Sequence, residues 1–497
     1  MFQANEAMAE IINLRFQMRS AASTIAIIGA GFTGTLLAVH LLRQARTPLA
    51  IDLIEKRGGF GGGLAYSTGN ASHLLNVRAM NMSAFPDEPR HFVDWLSRRE
   101  DSRAPVGLIP PSGHAFVPRG LYGTYLAEQL DDAINRASPG VTCRMRDDTA
   151  IDLTRDGHGF VLRLETGETM AVNRVALCLG NFPPQLPGVE LPADAEPPQF
   201  IADPWAGDIL AKVPRAASVL ILGTGLTMVD VVLSLLDQGH SGQITALSRR
   251  GLLPQRHAEV RPYEDFLAHR RILPATTLGI LRVLRAEVRG ATVQGHDWRS
   301  VVDAVRPYLP HLWGGLPLAE RRRFLRHARP YWEIHRHRMA PNVAGRITAA
   351  RERGQLTFHA GRLKTVARHS SRVLTTYSPR GTDSRARIET DILINCAGPE
   401  SNFALIKDPL VRALLDRGLI RPDPLGLGIE TTLESEVIAA DGTRLENLLA
   451  LGPIARGNFW EMTAVPELRC LCAVVGKRLA SAGGAEAADS TTAAGAR

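Results

Sequence analysis

Ile25-Ala26-Ile27-Ile28-Gly29-Ala30-Gly31-Phe32-Thr33-Gly34 decides the fold, because its pattern returns at Val219-Leu220-Ile221-Leu222-Gly223-Thr224-Gly225-Leu226-Thr227-Met228. Each stretch runs from four apolar residues of strand type through a Gly-x-Gly turn into a helical pattern. In such a turn one glycine permits the tight bend and one lets backbone approach a pyrophosphate. A third lets helix and strand pack closely. The helix that follows points its partial positive charge and unbonded N–H groups at the space in front of it. One copy is a weak signal. Two copies, each between a strand and a helix, predict two nucleotide sites in one chain.

The flanks make the two copies unlike. After the first, a helix is expected from about Gly31 to Arg43, then a second strand, Ala50-Ile51-Asp52-Leu53-Ile54, ending at Glu55. A carboxylate at that strand tip can accept hydrogen bonds from a ribose diol. Gly58-Gly59-Phe60-Gly61-Gly62-Gly63 follows, and so glycine-rich a run predicts close backbone approach to phosphate or flavin. After the second copy, the strand Ile244-Thr245-Ala246-Leu247 ends at Ser248-Arg249-Arg250, with no acid where the first unit has Glu55. Guanidinium groups pair with a 2′-phosphate that a carboxylate would repel. The second site therefore reads as one for a nicotinamide dinucleotide, leaning to NADPH.

The fold class expected is α/β, with two Rossmann-like dinucleotide-binding domains and a helical insertion. The boundaries expected are an N-terminal extension at 1–23, a first domain from 24–185 and 385–480, and a second at 186–384. The second carries a helical insert at 262–346, and 481–497 reads as a disordered Ala/Gly/Ser/Thr-rich tail. Pro183, Pro184, Pro187, Pro192, Pro197 and Pro198 mark the linker between domains. Ile392–Cys396 and Leu448–Leu451 read as returning strands, and a last helix is expected from Val465 to about Leu479.

The insert is strongly basic: eight arginines lie between Arg321 and Arg346, with His327, His335, His337 and Tyr331-Trp332 among them. One reading is a site for a planar anion, held by stacking and guanidinium pairing; the other is a solvated basic surface. Net charge is only +8 over 497 residues, which suits anionic ligands and gives no nucleic-acid signature. Five cysteines (Cys143, Cys178, Cys396, Cys470, Cys472) contain no Cys-x-x-Cys and no metal-ligand spacing, and they suit a reducing cytoplasm. No metal, membrane or nucleic-acid partner is expected.

With these segments in view, the chain resembles the bacterial flavoproteins with two dinucleotide-binding domains. The resemblance is carried further by Gly61-Gly62-Gly63-Leu64-Ala65-Tyr66-Ser67, His73-Leu74-Leu75-Asn76-Val77 and Met82-Ser83-Ala84-Phe85-Pro86. Asp203-Pro204-Trp205, Ser248-Arg249-Arg250-Gly251 and Trp460-Glu461-Met462-Thr463-Ala464-Val465-Pro466-Glu467 complete it. It implies that Gly29, Gly31, Gly34 and Glu55 bind the ADP half of FAD, that Asn76 lies near the flavin, and that Thr463 and Ala464 sit by its pyrimidine edge. Gly223, Gly225, Arg249 and Arg250 would hold NADH or NADPH. The implied activity is an FAD-dependent monooxygenase using NAD(P)H and O2 on a small polar or anionic substrate, with urate to 5-hydroxyisourate as the leading expectation. The alternatives are an amine or amino-acid N-hydroxylase, for which Glu264, Asp265 or Glu333 would supply acidic pocket residues, and a non-oxygenating flavin NAD(P)H oxidoreductase. Met228 departs from the usual small third residue, and the Phe-x-Gly-x-x-x-His signature of ketone-oxygenating relatives is missing. No set of catalytic side chains stands out.

Overall fold

In the computed structural model, residues 23–99, 113–186, 199–268 and 274–494 are described. The expected N-terminal extension, and Pro187, Pro192, Pro197 and Pro198 of the linker, lie outside them.

The first apolar run is strand β1 (Ser23–Ile28), which pairs in parallel with β2 (Leu49–Glu55), and β2 pairs with β3 (Val141–Asp147). An antiparallel meander, β4 (Ala150–Asp156), β5 (Gly159–Leu164) and β6 (Thr169–Val172), carries the chain back. It returns as β7 (Arg174–Leu177), on the other side of β1. The helix Phe32–Gln44 covers this sheet and is buried over nearly its whole length. Its partner on the outside is the C-terminal helix Val465–Ala494, so close that a Cβ on Gly476 would stand 2.8 Å from Cβ of His40.

The second unit starts at the short β8 (Phe200–Ile201), and β9 (Val219–Leu222) and β10 (Ile244–Ser248) carry the second glycine turn between them. The insert between β10 and β11 (Leu356–His369) is helical: Thr277–Val293, Trp298–Val305, Leu309–Gly315, Leu318–Arg323, Arg329–Arg336 and Pro341–Glu352. A hairpin extension follows, β12 (Arg372–Pro379) and β13 (Ala386–Thr390), and then β14 (Ile392–Asn395). The chain finally rejoins the first sheet as β15 (Glu436–Ile438) and β16 (Arg444–Ala450).

The first sheet has the order β15-β16-β7-β1-β2-β3 and the second β13-β12-β11-β10-β9-β14-β8. Residue 385 is therefore not where the chain re-enters the first unit. β14 pairs in parallel with both β9 and β8, so the return comes after Asn395. The physical reason is the four-residue apolar strand Ile392–Asn395, buried throughout, which needs a neighbour on each edge. The last helix is continuous from Val465 to Ala494.

Met228 stands where the first unit has Gly34, yet it is fully buried in the apolar cluster between the second sheet and its helices. The second helix thus fills with a thioether the contact that the first makes with backbone. Met228→Ala is expected to cost about 2–5 kcal/mol of stability, because the site cannot collapse fully around the lost volume. Chemical denaturation would show it, with FAD content of the native fraction unchanged.

Candidate dinucleotide and substrate sites

Both glycine turns are built on the same hydrogen bonds. Gly29 N–H donates to the Ile54 carbonyl at 2.8 Å and Cys178 N–H to that of Ile28 at 2.8 Å. In the second unit Gly223 N–H donates to Leu247 at 2.8 Å and Cys396 N–H to Leu222 at 2.8 Å. The turn glycines take φ of +98° and +108°, and a Cβ there would lie 2.4 Å and 2.2 Å from the Cys178 and Cys396 carbonyl oxygens. A side chain would fail at either position on both counts. Gly31 and Gly225 are the N-caps of Phe32–Gln44 and Leu226–Asp237. Neither helix has a side-chain cap or an acid in its first turn. Three other helices are capped by Thr276, Asp297 and Asp408. Two uncapped, positively polarised helix starts are what a bound diphosphate satisfies.

In the first unit further groups converge. A Cβ on Gly34 would lie 1.9 Å from the Gly29 carbonyl oxygen, so helix and turn touch through backbone. Glu55 is buried; its Oε2 accepts from Ala30 N–H at 2.8 Å and its Oε1 from Arg57 N–H at 3.2 Å, which places the carboxylate inside the turn. The glycine-rich loop lies on the same turn. Gly61 N–H donates to the Ala30 carbonyl at 3.0 Å, and a Cβ on Gly63 would stand 2.7 Å from Cα of Gly31. The segment before the last helix arrives there too, with Gly452 against the Thr33 hydroxyl. Thr463 and Ala464 sit just before that helix, but their N–H groups are turned to the Glu461 carbonyl, at 2.7 Å and 3.2 Å.

Asn76 lies at the seam between the units. Its carbonyl accepts from His257 Nε2 at 2.9 Å, and Arg78 reaches the Ala258 carbonyl at 2.9 Å. Arg119 clamps Asp230 of the second helix with contacts of 2.8 Å and 2.6 Å. His257, Arg119 and Asp230 were not singled out from sequence, since nothing local marks their partners. In the second unit Arg249 is exposed, while Arg250 donates to the Arg326 carbonyl at 3.1 Å and stacks 5.6 Å from the Tyr331 ring. No carboxylate among the described residues pairs with either arginine.

The insert is not the open anion-binding face it resembles in sequence. Arg323 pairs with Glu320, Arg329 with Glu333 at 2.8 Å, Arg338 with Asp303, and Arg346 with Asp237. Arg321 is spent on the Leu316 and Gly314 carbonyls at 2.9 Å and 3.0 Å. Where the helix Arg329–Arg336 meets the loop before the last helix, these side chains form a buried polar cluster. Arg336 stands against Glu461, Arg306 against Glu467, and Arg456 against Glu333 at 3.4 Å. The indoles of Trp313 and Trp460, 5.0 Å apart, close one side. Burial, with Arg336 nearby, depresses the pKa of His337 to about 3, so it carries no charge there. Of the acids expected to serve a substrate, Glu264 and Asp265 are exposed and only Glu333 belongs to this cluster.

Residues 26–182 match the family model described as FAD-NAD(P)-binding. They are an FAD-NAD(P)-binding domain. No curated protein sequence matches the chain. The structure is similar to ornithine hydroxylase PvdA from Pseudomonas aeruginosa, with a TM-score of 0.61 at 15% identity over 92% of this chain and 98% of that one. It is similar to the cadaverine monooxygenase DfoA from Erwinia amylovora, at 0.55 and 12% over 91% and 92%. It is also similar to a bacillithiol disulfide reductase from Bacillus cereus, at 0.52 and 14% over 93% and 99%. Likeness at such identities shows a shared two-domain flavoprotein fold. Among the described residues no helix is long and apolar enough to cross a membrane.

Two outcomes follow. Gly63→Val forces a β-branched residue onto the Gly31 backbone; strain of about 1–3 kcal/mol would weaken FAD retention roughly 10- to 100-fold, read as flavin absorbance per protein after gel filtration. Burial depresses His257 from 6.5 to about 4. Its unfolded form therefore takes up protons before its folded form, and stability is lost as pH falls from 6.5 toward 4. His257→Gln keeps a donor for the Asn76 carbonyl and removes the titration, so its melting temperature should fall less steeply over that window.

Proposed function

We propose that the chain is an FAD-dependent, NAD(P)H-consuming monooxygenase that hydroxylates the nitrogen of a small amine or amino acid. The observation that carries the reading is Glu461. It is a carboxylate 5% exposed on the loop that leads to Thr463 and Ala464; its Oε1 accepts from Trp332 Nε1 at 3.1 Å, and its Oε2 stands 3.3 Å from Arg336 Nε without a hydrogen bond between them. Such an oxygen keeps acceptor capacity that suits an amino group. The fold shared with an ornithine hydroxylase and a cadaverine monooxygenase over more than nine-tenths of the chain supports the same reading.

Urate is not carried forward. That expectation came mainly from the resemblance, with an arginine-rich region to hold an anionic purine; Arg323, Arg329, Arg338 and Arg346 are paired with carboxylates, and the similar structures include an ornithine hydroxylase and a cadaverine monooxygenase. A dithiol-type disulfide reductase is disfavoured by the thiols: the sequence has no Cys-x-x-Cys, and burial pushes those of Cys143 and Cys178 up to about 12. Such thiols are poor nucleophiles.

In this reading FAD supplies the redox chemistry and the reaction with O2. The Gly29–Gly34 turn, Glu55 and the Gly61–Gly63 loop hold its ADP half, and the uncapped start of Phe32–Gln44 faces the diphosphate. Gly223, Gly225, Arg249 and Arg250 hold NAD(P)H, with the two arginines on a 2′-phosphate. The insert covers the seam and excludes water, while Glu461 offers an acceptor to an amino group of the substrate. A hydride from NAD(P)H, which is two electrons and a proton, and one further proton turn O2 and R–NH2 into R–NHOH and water, leaving NAD(P)+.

Purified holoenzyme incubated aerobically with NADPH or NADH and ornithine, lysine, putrescine, cadaverine or urate tests this directly. An amine should raise nucleotide consumption and give hydroxylamine in step with it. If no amine does so with either nucleotide, the proposal fails. Replacing Arg249 and Arg250 by Ser should raise KM for NADPH by about tenfold or more, from lost charge-assisted contacts, and leave KM for NADH nearly unchanged.

A further inference from the structure

The seam between the two units is closed along one face of one helix. Leu226–Asp237 is mostly apolar, yet it carries Asp230, Ser234 and Asp237 at i, i+4 and i+7, a single polar stripe. Asp230 and Ser234 are buried. Both oxygens of Asp230 accept from Nη2 of Arg119, at 2.8 Å and 2.6 Å, while Nε of Arg119 is anchored in its own unit on the Leu74 carbonyl at 3.1 Å. His73 is 3% exposed and crosses the seam like a pin. Its Nδ1 lies 2.8 Å from the Thr68 hydroxyl, and its Nε2 lies 3.0 Å from the Asp230 carbonyl and 2.9 Å from the Ser234 hydroxyl. Burial lowers the pKa of His73, so the ring is neutral; the carbonyl can only accept, so Nε2 carries the proton and Nδ1 accepts from Thr68. Arg346 joins Asp237 to Ser72, with contacts of 2.5 Å and 2.8 Å. The first-unit side is itself stiff: Leu75 N–H donates to the Val117 carbonyl and Arg119 N–H to that of His73, both at 2.8 Å.

Such a network contributes orientation more than stability. A buried ion pair loses most of its attraction to desolvation, but its directional bonds are met in only one register. Contacts between domains commonly leave them free to swing; here three residues of one helix are each held by bonds of fixed direction. That helix is the one whose start at Gly225 faces the second nucleotide site. Asp230 lies five residues in, about 7.5 Å along the axis, so a tilt at Asp230 is passed to that start. On the other side, His73 and Leu74 lead within two residues to Asn76, whose carbonyl holds His257 of the second unit. We propose that Arg119 and His73 are positioning residues: by holding Asp230 and Ser234 they lock the helix Leu226–Asp237 onto the first unit, and hydride transfer takes place in this one orientation of the two units. The lock rests on the reading of the first turn as the FAD site and the second as the NAD(P)H site, and is independent of the substrate. A hydride leaves NAD(P)H, giving NAD(P)+, and reduces FAD; Arg119 and His73 exchange no proton in that step and serve only to fix the separation it must cross.

Two measurements on the holoenzyme test the lock. One is the distance between nitroxide labels on Cys470, exposed on the last helix, and on a cysteine introduced in the second unit by Arg353→Cys, in a Cys143→Ser background. It is read by pulsed electron spin resonance with and without NADP+. The other is anaerobic stopped-flow reduction of the flavin by NADPH and NADH, beside reduction by dithionite, which needs no nucleotide site. Wild type should give one narrow distance, unchanged by NADP+. Arg119→Ala should broaden it and slow reduction by the nucleotide about 100-fold, the scale of a small misplacement made far from the chemistry. Its nucleotide Kd, FAD content and rate with dithionite should stay near wild type, which a general loss of structure would not allow. Arg119→Lys keeps a cation and should recover much of the rate. Asp230→Asn, of the same size, should repeat the Arg119→Ala pattern and serves if that variant does not fold. Variants that keep the narrow distance, or that the nucleotide reduces as fast as wild type, would overturn the lock, as would a wild-type distance that is broad or shifts with NADP+. A narrow wild-type distance that broadens in Arg119→Ala, with no reduction of wild type by either nucleotide, would overturn the NAD(P)H reading and leave the joint between the units standing.

Discussion

The structure depends on a close contact made twice: a glycine Cα pressed against the carbonyl that ends the neighbouring parallel strand. Gly29 meets Cys178 in this way and Gly223 meets Cys396, at positive φ, with no room for a Cβ. The contact lets the chain leave the strand in a single turn and start a helix whose first N–H groups face outward. Strand pairing then fixes where that helix points, since β1 lies between β2 and β7 and β9 between β10 and β14. Both nucleotide sites are consequences of this one piece of backbone geometry.

The two copies differ in what surrounds the turn. Around the first, Glu55, the Gly61–Gly63 loop, Gly452 and the last helix close in from four directions, which suits a group bound once and kept. Around the second, Gly225 has open space where a Cβ would be, and Arg249 is exposed. That is an accessible cradle, suited to a nucleotide that arrives and leaves. The insert joins the two through the helix Arg329–Arg336. Tyr331 of that helix lies against Arg250, and Trp332, Glu333 and Arg336 lie against the loop before the last helix.

Local features were legible in the sequence and distant pairings were not. The apolar run, glycine turn and following helix of each unit are set by residues within about 20 positions of one another, and Ser23–Ile28, Phe32–Gln44, Leu49–Glu55, Val219–Leu222 and Ile244–Ser248 fall within a residue or two of the expected places. Glu55 stands at the end of its strand for the same reason. Ile392–Asn395 read as a strand but was given to the wrong sheet, because strand neighbours are a tertiary choice. The arginines of the insert looked free because their partners are scattered: Arg336 meets Glu461, Arg306 meets Glu467, and Arg346 meets Asp237. Charge composition signals that such residues exist and carries no information on which of them are cancelled. Met228, which stands where the first unit has glycine, is seated by its helix in the core.

In the proposed reading one turn keeps FAD and the other exchanges NAD(P)H. The direct measurement is nucleotide stoichiometry by difference: gel-filter the protein, quantify bound FAD per chain, then titrate NADPH anaerobically into that same sample by calorimetry, beside a Gly225→Val variant. One FAD per chain should be retained by both proteins, and one NADPH bound by wild type but not by the variant. Loss of FAD from the Gly225→Val protein, or undiminished NADPH binding by it, would overturn the assignment of the two turns.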